Sequence, residues 1–445
     1  MYKHIYFIGI GGIGMSAIAR YYNAKGFKVS GYDKTPSPLT EALEQEGIEV
    51  HYEDNVDFIP KSVEDTLVVY TPAIPKDMGE LVYVQDNGYR VIKRSQMLGE
   101  ITRGQRCLAV AGTHGKTTTS TLTSHLFSAS GEGCSAFLGG ISKNYDSNLL
   151  TCANDVVVVE ADEFDRSFLQ LFPEIAVITS MDADHLDIYG DEAHIREAFK
   201  AFASQVSGTV IAKWGLDITA ADTKAQIKTY SFGNPEADFY AVPLVQAGHF
   251  DLHYPGGVIE DCVVGVPGWV NIENGTAAAA IALTYGIDPQ EIKKALASFS
   301  GVKRRFDLQV KTPKCIYIDD YAHHPEEISA ALSSIRKAYP SMKLTAAFQP
   351  HLYTRTRDFA EEFAKALSAV DKLILLEIYP AREEPIPGVT SEMIFKDVTA
   401  PEKVLLRRDE FMEYMENEDV ELFVTLGAGD IDRFVGPIAQ MLSER

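Results

Sequence analysis

Short apolar runs alternate with helix-length amphipathic stretches along almost the whole chain. The first apolar runs are HIYFIGI, KVSGYD and TLVVYT, and the amphipathic stretches SAIARYYNAKG and PLTEALEQEG end at glycine. This alternation is typical of parallel sheets that are covered by helices. The sequence therefore predicts an α/β fold.

The composition excludes several classes of protein. The net charge is −22 at pH 7, from 41 Lys and Arg against 63 Asp and Glu, so general surface charge does not attract nucleic acid or anionic lipid. No apolar run approaches the roughly 18 to 20 residues of a membrane span. The five cysteines have no paired spacing, which argues against a disulfide framework and a zinc cage. We expect a cytoplasmic protein without nucleic-acid or membrane partners.

The first glycine motif, in YFIGIGGIGMSAIA, has the G-x-G-x-x-G spacing between a strand-like run and a helical pattern. Its glycines are Gly9, Gly11 and Gly14, and Asp33 follows nineteen residues later at the end of the second strand-like run. This pattern predicts a diphosphate at a helix N-terminus, beside a ribose. NAD and a UDP-linked sugar both offer these groups, so the motif alone leaves both open.

A second glycine motif, AVAGTHGKTTTS, also joins an apolar strand to a helix. Backbone N–H groups of such a loop face phosphates, the lysine reaches the outer phosphates and the threonine hydroxyl binds Mg²⁺. The usual eight-residue phosphate loop would have glycine at the position of Val110. We still predict ATP binding here, by Gly112, Thr113, His114, Gly115, Lys116, Thr117 and Thr118.

Two further strand-like runs end in candidate metal ligands. DVVVVEADEFD brings Glu160 to the end of a buried strand, as in other phosphate-loop enzymes. The next run ends in TSMDADHLDIYG, which contains His185. The sequence therefore predicts a Mg²⁺ site at Thr117 and Glu160, with His185 as a candidate ligand of a second metal or of a phosphate.

The chain is too long for one ordinary hydrophobic core. The strand–loop–helix pattern restarts near RCLAVAGTHGKTTT, and SFSGVKRRFD has the composition of a linker. We predict a Rossmann-like domain at residues 1–98, a central P-loop ATPase domain at residues 99–301 and a Rossmann-like α/β domain at residues 302–445. In the third domain, strand-like runs end in polar residues where open parallel sheets bind ligands.

An ordered set of motifs along the whole chain resembles the Mur ligase family. The motifs are GIGGIGMS, AGTHGKTTT, VVEADEFDRSF, DADHLDIYG, NIENGTAAAA, GVKRRFD, DDYAHHP, FQPHLYTRTRDF and GAGDI. The resemblance implies an ATP-dependent ligase of peptidoglycan precursor synthesis. In the expected reaction, L-alanine is joined to the lactyl carboxylate of UDP-N-acetylmuramate through an acyl phosphate.

The resemblance also implies roles for individual residues. The UDP-sugar is expected at Gly9, Gly11, Gly12, Gly14, Asp33 and Thr71. Further ATP contacts are expected from Asn271, Asn274, Arg305 at the γ-phosphate and Asp320 at the ribose. The amino acid is expected at Tyr321, His323, His351 and Arg355. The expected catalytic residues are Lys116, Glu160, His185, Arg305 and His323, the last as one candidate acceptor of the amine proton.

Three other functions stay open at this stage. A Mur ligase that attaches a peptide shares the phosphate loop, an NAD-dependent oxidoreductase with a fused ATPase explains both glycine motifs, and a regulatory protein binds ATP without ligation. The choice among L-alanine, glycine and L-serine depends on a pocket that only folding assembles. We expect a monomer or a homodimer.

Overall fold

The computed structural model describes residues 2–182, 189–246, 248–381 and 383–445. The chain divides into two compact units. The first unit comprises residues 1–265 and 272–300, and the second comprises residues 266–271 and 301–445. The first unit contains two sheets and the second contains one. Helices accompany every sheet, so the α/β prediction is confirmed.

The first sheet is parallel and has the strand order β3-β2-β1-β4-β5. Its strands are β1 (His4–Ile8), β2 (Lys28–Tyr32), β3 (Glu49–His51), β4 (Thr66–Tyr70) and β5 (Arg90–Lys93). Its helices are Ile13–Ala24, Pro38–Gln45, Gly79–Asp86 and Arg94–Thr102, with a 3-10 turn at Val56–Phe58. The sequence did not reveal β3 and β5, which are short edge strands containing charged residues.

The second sheet has the order β15-β14-β13-β12-β11-β10-β6-β9-β7-β8. Its strands are β6 (Arg106–Ala111), β7 (Ser135–Ser142), β8 (Ser147–Leu150), β9 (Val156–Ala161), β10 (Ile175–Ile178), β11 (Thr209–Lys213), β12 (Gln226–Phe232), β13 (Phe239–Pro243), β14 (His249–Tyr254) and β15 (Gly257–Val263). Its helices are Lys116–Ala129, Glu192–Ser204, Trp269–Tyr285 and Pro289–Ser298, with a 3-10 segment at Phe164–Gln170.

The expectation of parallel sheets is wrong at the edges of the second sheet. The pairs β7–β8, β13–β14 and β14–β15 are antiparallel. Only Pro255 and Gly256 separate β14 from β15, and a connection this short joins only antiparallel strands.

The sheet of the second unit has the order β16-β17-β21-β18-β19-β20 and is parallel except for the pair β16–β17. Its strands are β16 (Asp307–Lys311), β17 (Ile316–Asp320), β18 (Leu344–Phe348), β19 (Lys372–Leu376), β20 (Glu402–Leu406) and β21 (Leu422–Leu426). The helices are Pro325–Ala338, Tyr353–Asp358, Ala360–Leu367, Glu392–Phe395, Phe411–Glu416 and Val435–Ser443, with 3-10 turns at Arg408–Glu410 and Asp430–Phe434.

One hydrophobic core joins the two sheets of the first unit. Phe7 and Ile18 from the first sheet and its helix pack in the same buried cluster as Phe137 and Val157 from the second sheet. Full burial of such a side chain stabilises the fold by about 1.5–3 kcal/mol. The continuous core therefore fixes the position of the first glycine motif relative to the second sheet. None of the described helices is long and apolar enough to cross a membrane.

Candidate functional site

The phosphate loop of the first unit connects β6 to the helix Lys116–Ala129. Gly112 and Gly115 have φ angles of 133° and 79°, in the region that favours glycine. A Cβ atom on Gly112 would also overlap the hydroxyl of Thr179. Both glycines of the motif are therefore required by the backbone path.

The end of β10 holds this loop in place. The hydroxyls of Thr113 and Ser180 are 2.8 Å apart, and Ser180 Oγ accepts the N–H of His114 at 2.8 Å. The following helix has no side-chain cap and no acidic residue in its first turn. Its first N–H groups have no acceptor within the helix, so they form a cradle for an anion.

Lys116 lies inside this cradle. Its Nζ atom donates to Gly112 O at 2.7 Å and to Glu163 Oε1 at 2.8 Å. Burial lowers the pKa of Lys116, but the carboxylates of Glu163, Asp162 and Glu160 outweigh burial and leave that pKa raised. The ammonium group therefore stays charged, as phosphate binding requires.

Two of the three predicted metal ligands meet beside the loop. The Thr117 hydroxyl donates to Glu160 Oε1 at 3.1 Å, and the N–H of Gly139 donates to Glu160 Oε2 at 3.2 Å. A Cβ atom on Gly139 would overlap the Glu160 carboxylate. Hydroxyl and carboxylate oxygens are the ligands that Mg²⁺ prefers, so these residues fit the ion. The third predicted ligand, His185, lies outside the described residues.

The structure also brings Asn274 to the phosphate loop. Its Oδ1 atom accepts the Thr119 hydroxyl at 3.3 Å and lies 2.8 Å from the position of a Cβ atom on Gly115. Asn271 belongs to the second unit, where its amide donates to Pro267 O at 2.7 Å. Thr118 lies in the first turn of the loop's helix. The nucleotide contacts of these residues stay predictions.

The first glycine motif forms a turn between β1 and the helix Ile13–Ala24. Gly9 has a φ angle of 89°, and Asp33 Oδ2 accepts the N–H of Gly11 at 2.7 Å. Gly12 precedes the helix, which has no side-chain cap. Asp33 therefore orders the turn itself, and the N–H groups of residues 13–15 are the donors available for the predicted diphosphate. The ribose contact of Asp33 stays a prediction.

A cavity of about 320 Å³ is lined by residues of this turn and by Glu160, one of the predicted metal ligands. Gly12, Gly14, Thr71 and Glu160 all line the cavity. Arg94 also lines it, although the sequence interpretation did not include this residue. Three of the six predicted UDP-sugar residues and the predicted metal carboxylate therefore open onto one shared space.

The second unit contains a cluster of aromatic and histidine rings after β17 and β18. The ring of His323 lies 5.1 Å from that of Tyr321 and 5.9 Å from that of His351. The ring of His351 also stacks on Tyr379 at 5.9 Å. Three of the predicted amino-acid-binding residues are thus brought together, and Tyr379 adds a residue that the sequence interpretation missed.

Glu327 holds His323 in one orientation. His323 Nδ1 lies 3.0 Å from Tyr321 O and 3.2 Å from Glu327 Oε2, and the backbone N–H of His323 donates to the same carboxylate at 3.0 Å. Burial raises the pKa of Glu327, but these hydrogen bonds and the charges of His323 and Arg305 keep it well below its usual range. Since a carbonyl oxygen only accepts, Nδ1 carries the proton in the neutral ring and Nε2 is the acceptor.

Arg305 lies in a strained part of the linker. Its neighbours Arg304 and Phe306 have φ angles of 64° and 45°, which is costly for residues with a Cβ atom. The guanidinium of Arg305 lies 5.0 Å from the centre of the Tyr321 ring. Both carboxylate oxygens of Asp320 accept backbone N–H groups, at 2.7 and 2.8 Å. Asp320 therefore orders the linker, and its predicted ribose contact is untested.

Arg355 lies half-buried in the short helix Tyr353–Asp358. The preceding Leu352 has a φ angle of 71°, so strained backbone also occurs next to this predicted carboxylate-binding residue. Leu352 directly follows His351 and precedes the helix that carries Arg355.

Three family descriptions match this chain. "Mur ligase family, catalytic domain" matches residues 4–106, "Mur ligase middle domain" matches residues 110–282, and "Mur ligase, glutamate ligase domain" matches residues 304–429. The chain belongs to the Mur ligase family. The predicted family and the predicted three-domain α/β architecture are thereby confirmed.

Curated relatives match this Mur ligase along its whole length. The UDP-N-acetylmuramate–L-alanine ligase of Porphyromonas gingivalis strain W83 is 51% identical over 451 residues, which cover 99% of both chains. The enzyme of the same name from Parabacteroides distasonis is also 51% identical and covers 99% of this chain and 97% of its own.

Solved structures share the fold. The UDP-N-acetylmuramate–alanine ligase of Thermotoga maritima has a TM-score of 0.85 and 26% identity, over 99% of both chains. A murein peptide ligase from Psychrobacter arcticus has a TM-score of 0.74 at 22% identity, over 100% of this chain and 99% of its own. At that identity the second likeness shows the fold alone.

Proposed function

We propose that this Mur ligase joins the amino group of L-alanine to the lactyl carboxylate of UDP-N-acetylmuramate, with conversion of ATP to ADP and phosphate. The product, UDP-N-acetylmuramoyl-L-alanine, is a precursor of peptidoglycan. The names of full-length relatives at 51% identity support this choice of substrates. The cavity shared by the first glycine motif and Glu160 is the structural observation that carries it.

The first step activates the carboxylate. An oxide ion does not leave from an acyl carbon, so the carboxylate oxygen first attacks the γ-phosphorus of ATP. An O–P bond forms, the bond to ADP breaks, and an acyl phosphate results. Both reactants are anions, and Lys116 with the N–H groups of its helix lowers their repulsion. Arg305 is the further cation that we predict for the γ-phosphate.

The second step forms the amide. The neutral amine of L-alanine attacks the acyl carbon, a C–N bond forms, and phosphate leaves as the C–O bond breaks. A proton must leave the amine, and Nε2 of His323 is the acceptor that the Glu327 contact orients. Tyr321, His351 and Arg355 are the proposed contacts of the amino acid.

Mg²⁺ is the proposed metal, bound by Thr117, Glu160 and His185, where it would shield the charge of the phosphates. Glu160→Gln removes one negative ligand, so we expect the Mg²⁺ concentration for half-maximal activity to rise by about tenfold or more. The exposed Glu64 provides the control, Glu64→Gln, which should leave that concentration unchanged. An unchanged Mg²⁺ requirement in Glu160→Gln would remove Glu160 from the metal site.

Release of ADP by the purified chain tests the function. UDP-N-acetylmuramate and ATP are supplied with L-alanine, glycine, L-serine or a tripeptide, one at a time. We expect ADP release to require both the sugar and an amino acid, with L-alanine the best. ADP release with the tripeptide but with none of the three amino acids identifies a peptide-adding ligase. ATP turnover that is independent of any amino acid indicates a regulatory ATPase. A change in nicotinamide absorbance would identify an oxidoreductase instead.

The remaining parts of the proposal concern the whole molecule. We propose that the chain acts in the cytoplasm as a monomer or a homodimer, with domains at residues 1–98, 99–301 and 302–445. Light scattering measures the assembly, and limited proteolysis tests cleavage near residues 98 and 301.

A further inference from the structure

Arg94 occupies an unusual position in the shared cavity. Of the described residues that line this cavity, Arg94 is the only cation, whereas Glu160 and Asp162 are both acidic. Its Nη2 atom donates to Asp162 Oδ2 at 3.1 Å, and its side chain is 21% exposed. The guanidinium therefore stands between the first glycine motif and the strand that carries Glu160.

Gly14 leaves room for this guanidinium. A Cβ atom on Gly14 would lie 2.8 Å from Arg94 Nη1, closer than a carbon and a nitrogen atom approach. Glycine at this position thus leaves the space that the Arg94 guanidinium occupies beside the turn. A cation at this point suits an anionic group of the ligand, and a sugar nucleotide with a carboxylate offers two such groups, the diphosphate and the carboxylate.

The cavity needs a cation if an anionic group enters it. A further anion beside Glu160 and Asp162 is repelled at short range. Asp162 engages one nitrogen of the Arg94 fork, which leaves further N–H donors for a carboxylate, the group that a guanidinium binds with two hydrogen bonds.

The remaining walls of the cavity favour a small group that is partly apolar. Ile18, Leu98 and Phe137 form an apolar part of the lining. A lactyl ether carries a methyl group next to its carboxylate, so it suits one apolar wall and one guanidinium. The N–H groups of residues 13–15 already provide donors for the diphosphate.

We infer that Arg94 binds the lactyl carboxylate of the sugar nucleotide and thereby selects it against sugar nucleotides without that group. This assignment depends on the ligase function proposed above. Arg94 would hold the carboxylate close to Glu160, the proposed metal ligand, and thus at the place where the phosphoryl group arrives.

A comparison of two sugar nucleotides distinguishes binding of the carboxylate from binding of the diphosphate. UDP-N-acetylglucosamine has the same uridine, diphosphate and acetamido sugar as UDP-N-acetylmuramate but lacks the lactyl ether. Calorimetric titration of both sugars, with Mg²⁺ and without ATP or amino acid, gives the selectivity ratio of the intact chain. In Arg94→Gln we expect affinity for UDP-N-acetylmuramate to fall at least tenfold and affinity for UDP-N-acetylglucosamine to change less than twofold.

Arg94→Lys is the second variant. It keeps the charge but loses the planar fork, so we expect an intermediate loss of selectivity. If Arg94→Gln does not fold, Arg94→Lys tests the assignment in its place. Arg90→Gln is the matched control, because Arg90 precedes Arg94 by four residues and forms an exposed ion pair with Glu100 at 2.6 Å. This control should retain the wild-type ratio.

Equal loss for both sugars would overturn the assignment, because Arg94 would then bind the shared diphosphate or only support the fold. An unchanged ratio would overturn it as well, and so would a wild-type protein that does not distinguish the two sugars. The ADP-release assay tests the ligase function separately, so the Arg94 assignment and the ligase function can fail independently.

Discussion

The ammonium group of Lys116 lies 2.8 Å from the carboxylate of Glu163, and only 2% of the Glu163 side chain is exposed. The lysine of the phosphate loop is therefore paired with a buried acid. In the proposed function, the phosphate of ATP has to share this ammonium group with Glu163. The proposal thus gives Lys116 two roles, which are to bind phosphate and to neutralise a buried charge.

Lys116→Ala should abolish measurable ADP release, with a loss in kcat/KM of about 10³-fold or more. The substitution removes a charge that stabilises the transferring phosphoryl group. A coupled assay of ADP release measures the effect, and Lys224→Ala, at an exposed lysine of the same unit, is the control. Near-normal turnover in Lys116→Ala would contradict the central role of this residue.

A double variant separates the two roles of Lys116. The single substitution removes the lysine that neutralises the buried Glu163, which costs about 3–5 kcal/mol of stability. Lys116→Ala combined with Glu163→Gln should recover most of that free energy of unfolding without restoring activity. Equal stability of the single and double variants would show that the pair does not matter for folding.

The sequence predicts the parts of this site whose residues lie close together along the chain. Gly112, Lys116 and Thr117 lie within a few residues of one another, and four consecutive valines precede Glu160 in β9. Such signals depend on period and spacing, which the chain itself displays. The resemblance to the Mur ligases added the order of the motifs and the roles of the third domain.

The residues that sequence reasoning missed act through distant partners. Arg94 meets Asp162, which lies 68 residues further along the chain, and Tyr379 meets His351 only after β18 and β19 have paired. An arginine at a helix start and a tyrosine after a strand have no periodic signal of their own. Folding had to bring these residues together before their role became visible.

Glu327→Gln should lower kcat by about ten- to a hundredfold and change the KM for L-alanine much less. The carboxylate orients the His323 ring, so its loss affects proton acceptance more than it affects binding. Steady-state kinetics with L-alanine across a range of pH measures both constants. The shape of the pH profile of kcat should change as well, which a purely structural role does not produce.

Glu326→Gln is the natural control for Glu327→Gln, since Glu326 is exposed and precedes Glu327 in the same helix. It should retain wild-type kcat. A rise in KM with unchanged kcat in Glu327→Gln would instead place Glu327 in amino-acid binding.

A buried network in the first sheet predicts an unusual dependence of stability on pH. Glu80 is fully buried, accepts the hydroxyl of Tyr6 at 2.7 Å and accepts the N–H of Asn55 at 3.0 Å. The Tyr6 hydroxyl also lies 2.7 Å from His51 Nε2. Burial raises the pKa of Glu80 to about 7, although the hydrogen bonds from Tyr6 and Asn55 oppose that shift.

The direction of the effect follows from proton binding. The unfolded chain loses the Glu80 proton near its ordinary pKa of 4.5, whereas the folded chain keeps it until about pH 7. Between these values the folded state binds more protons, so the free energy of unfolding falls as the pH rises. With about 1.4 kcal/mol for each pKa unit, the fall from pH 5.5 to pH 8 amounts to about 2 kcal/mol.

Glu80→Gln removes this titration and keeps the shape of the protonated acid. We expect the stability of this variant, relative to wild type, to rise by about 2 kcal/mol between pH 5.5 and pH 8. Urea unfolding at several pH values measures the difference. Glu44→Gln, at an exposed position of the first sheet's helix 38–45, should show a constant difference. Parallel curves for Glu80→Gln and wild type would show that Glu80 is ionised throughout, with the Tyr6 hydroxyl as its donor.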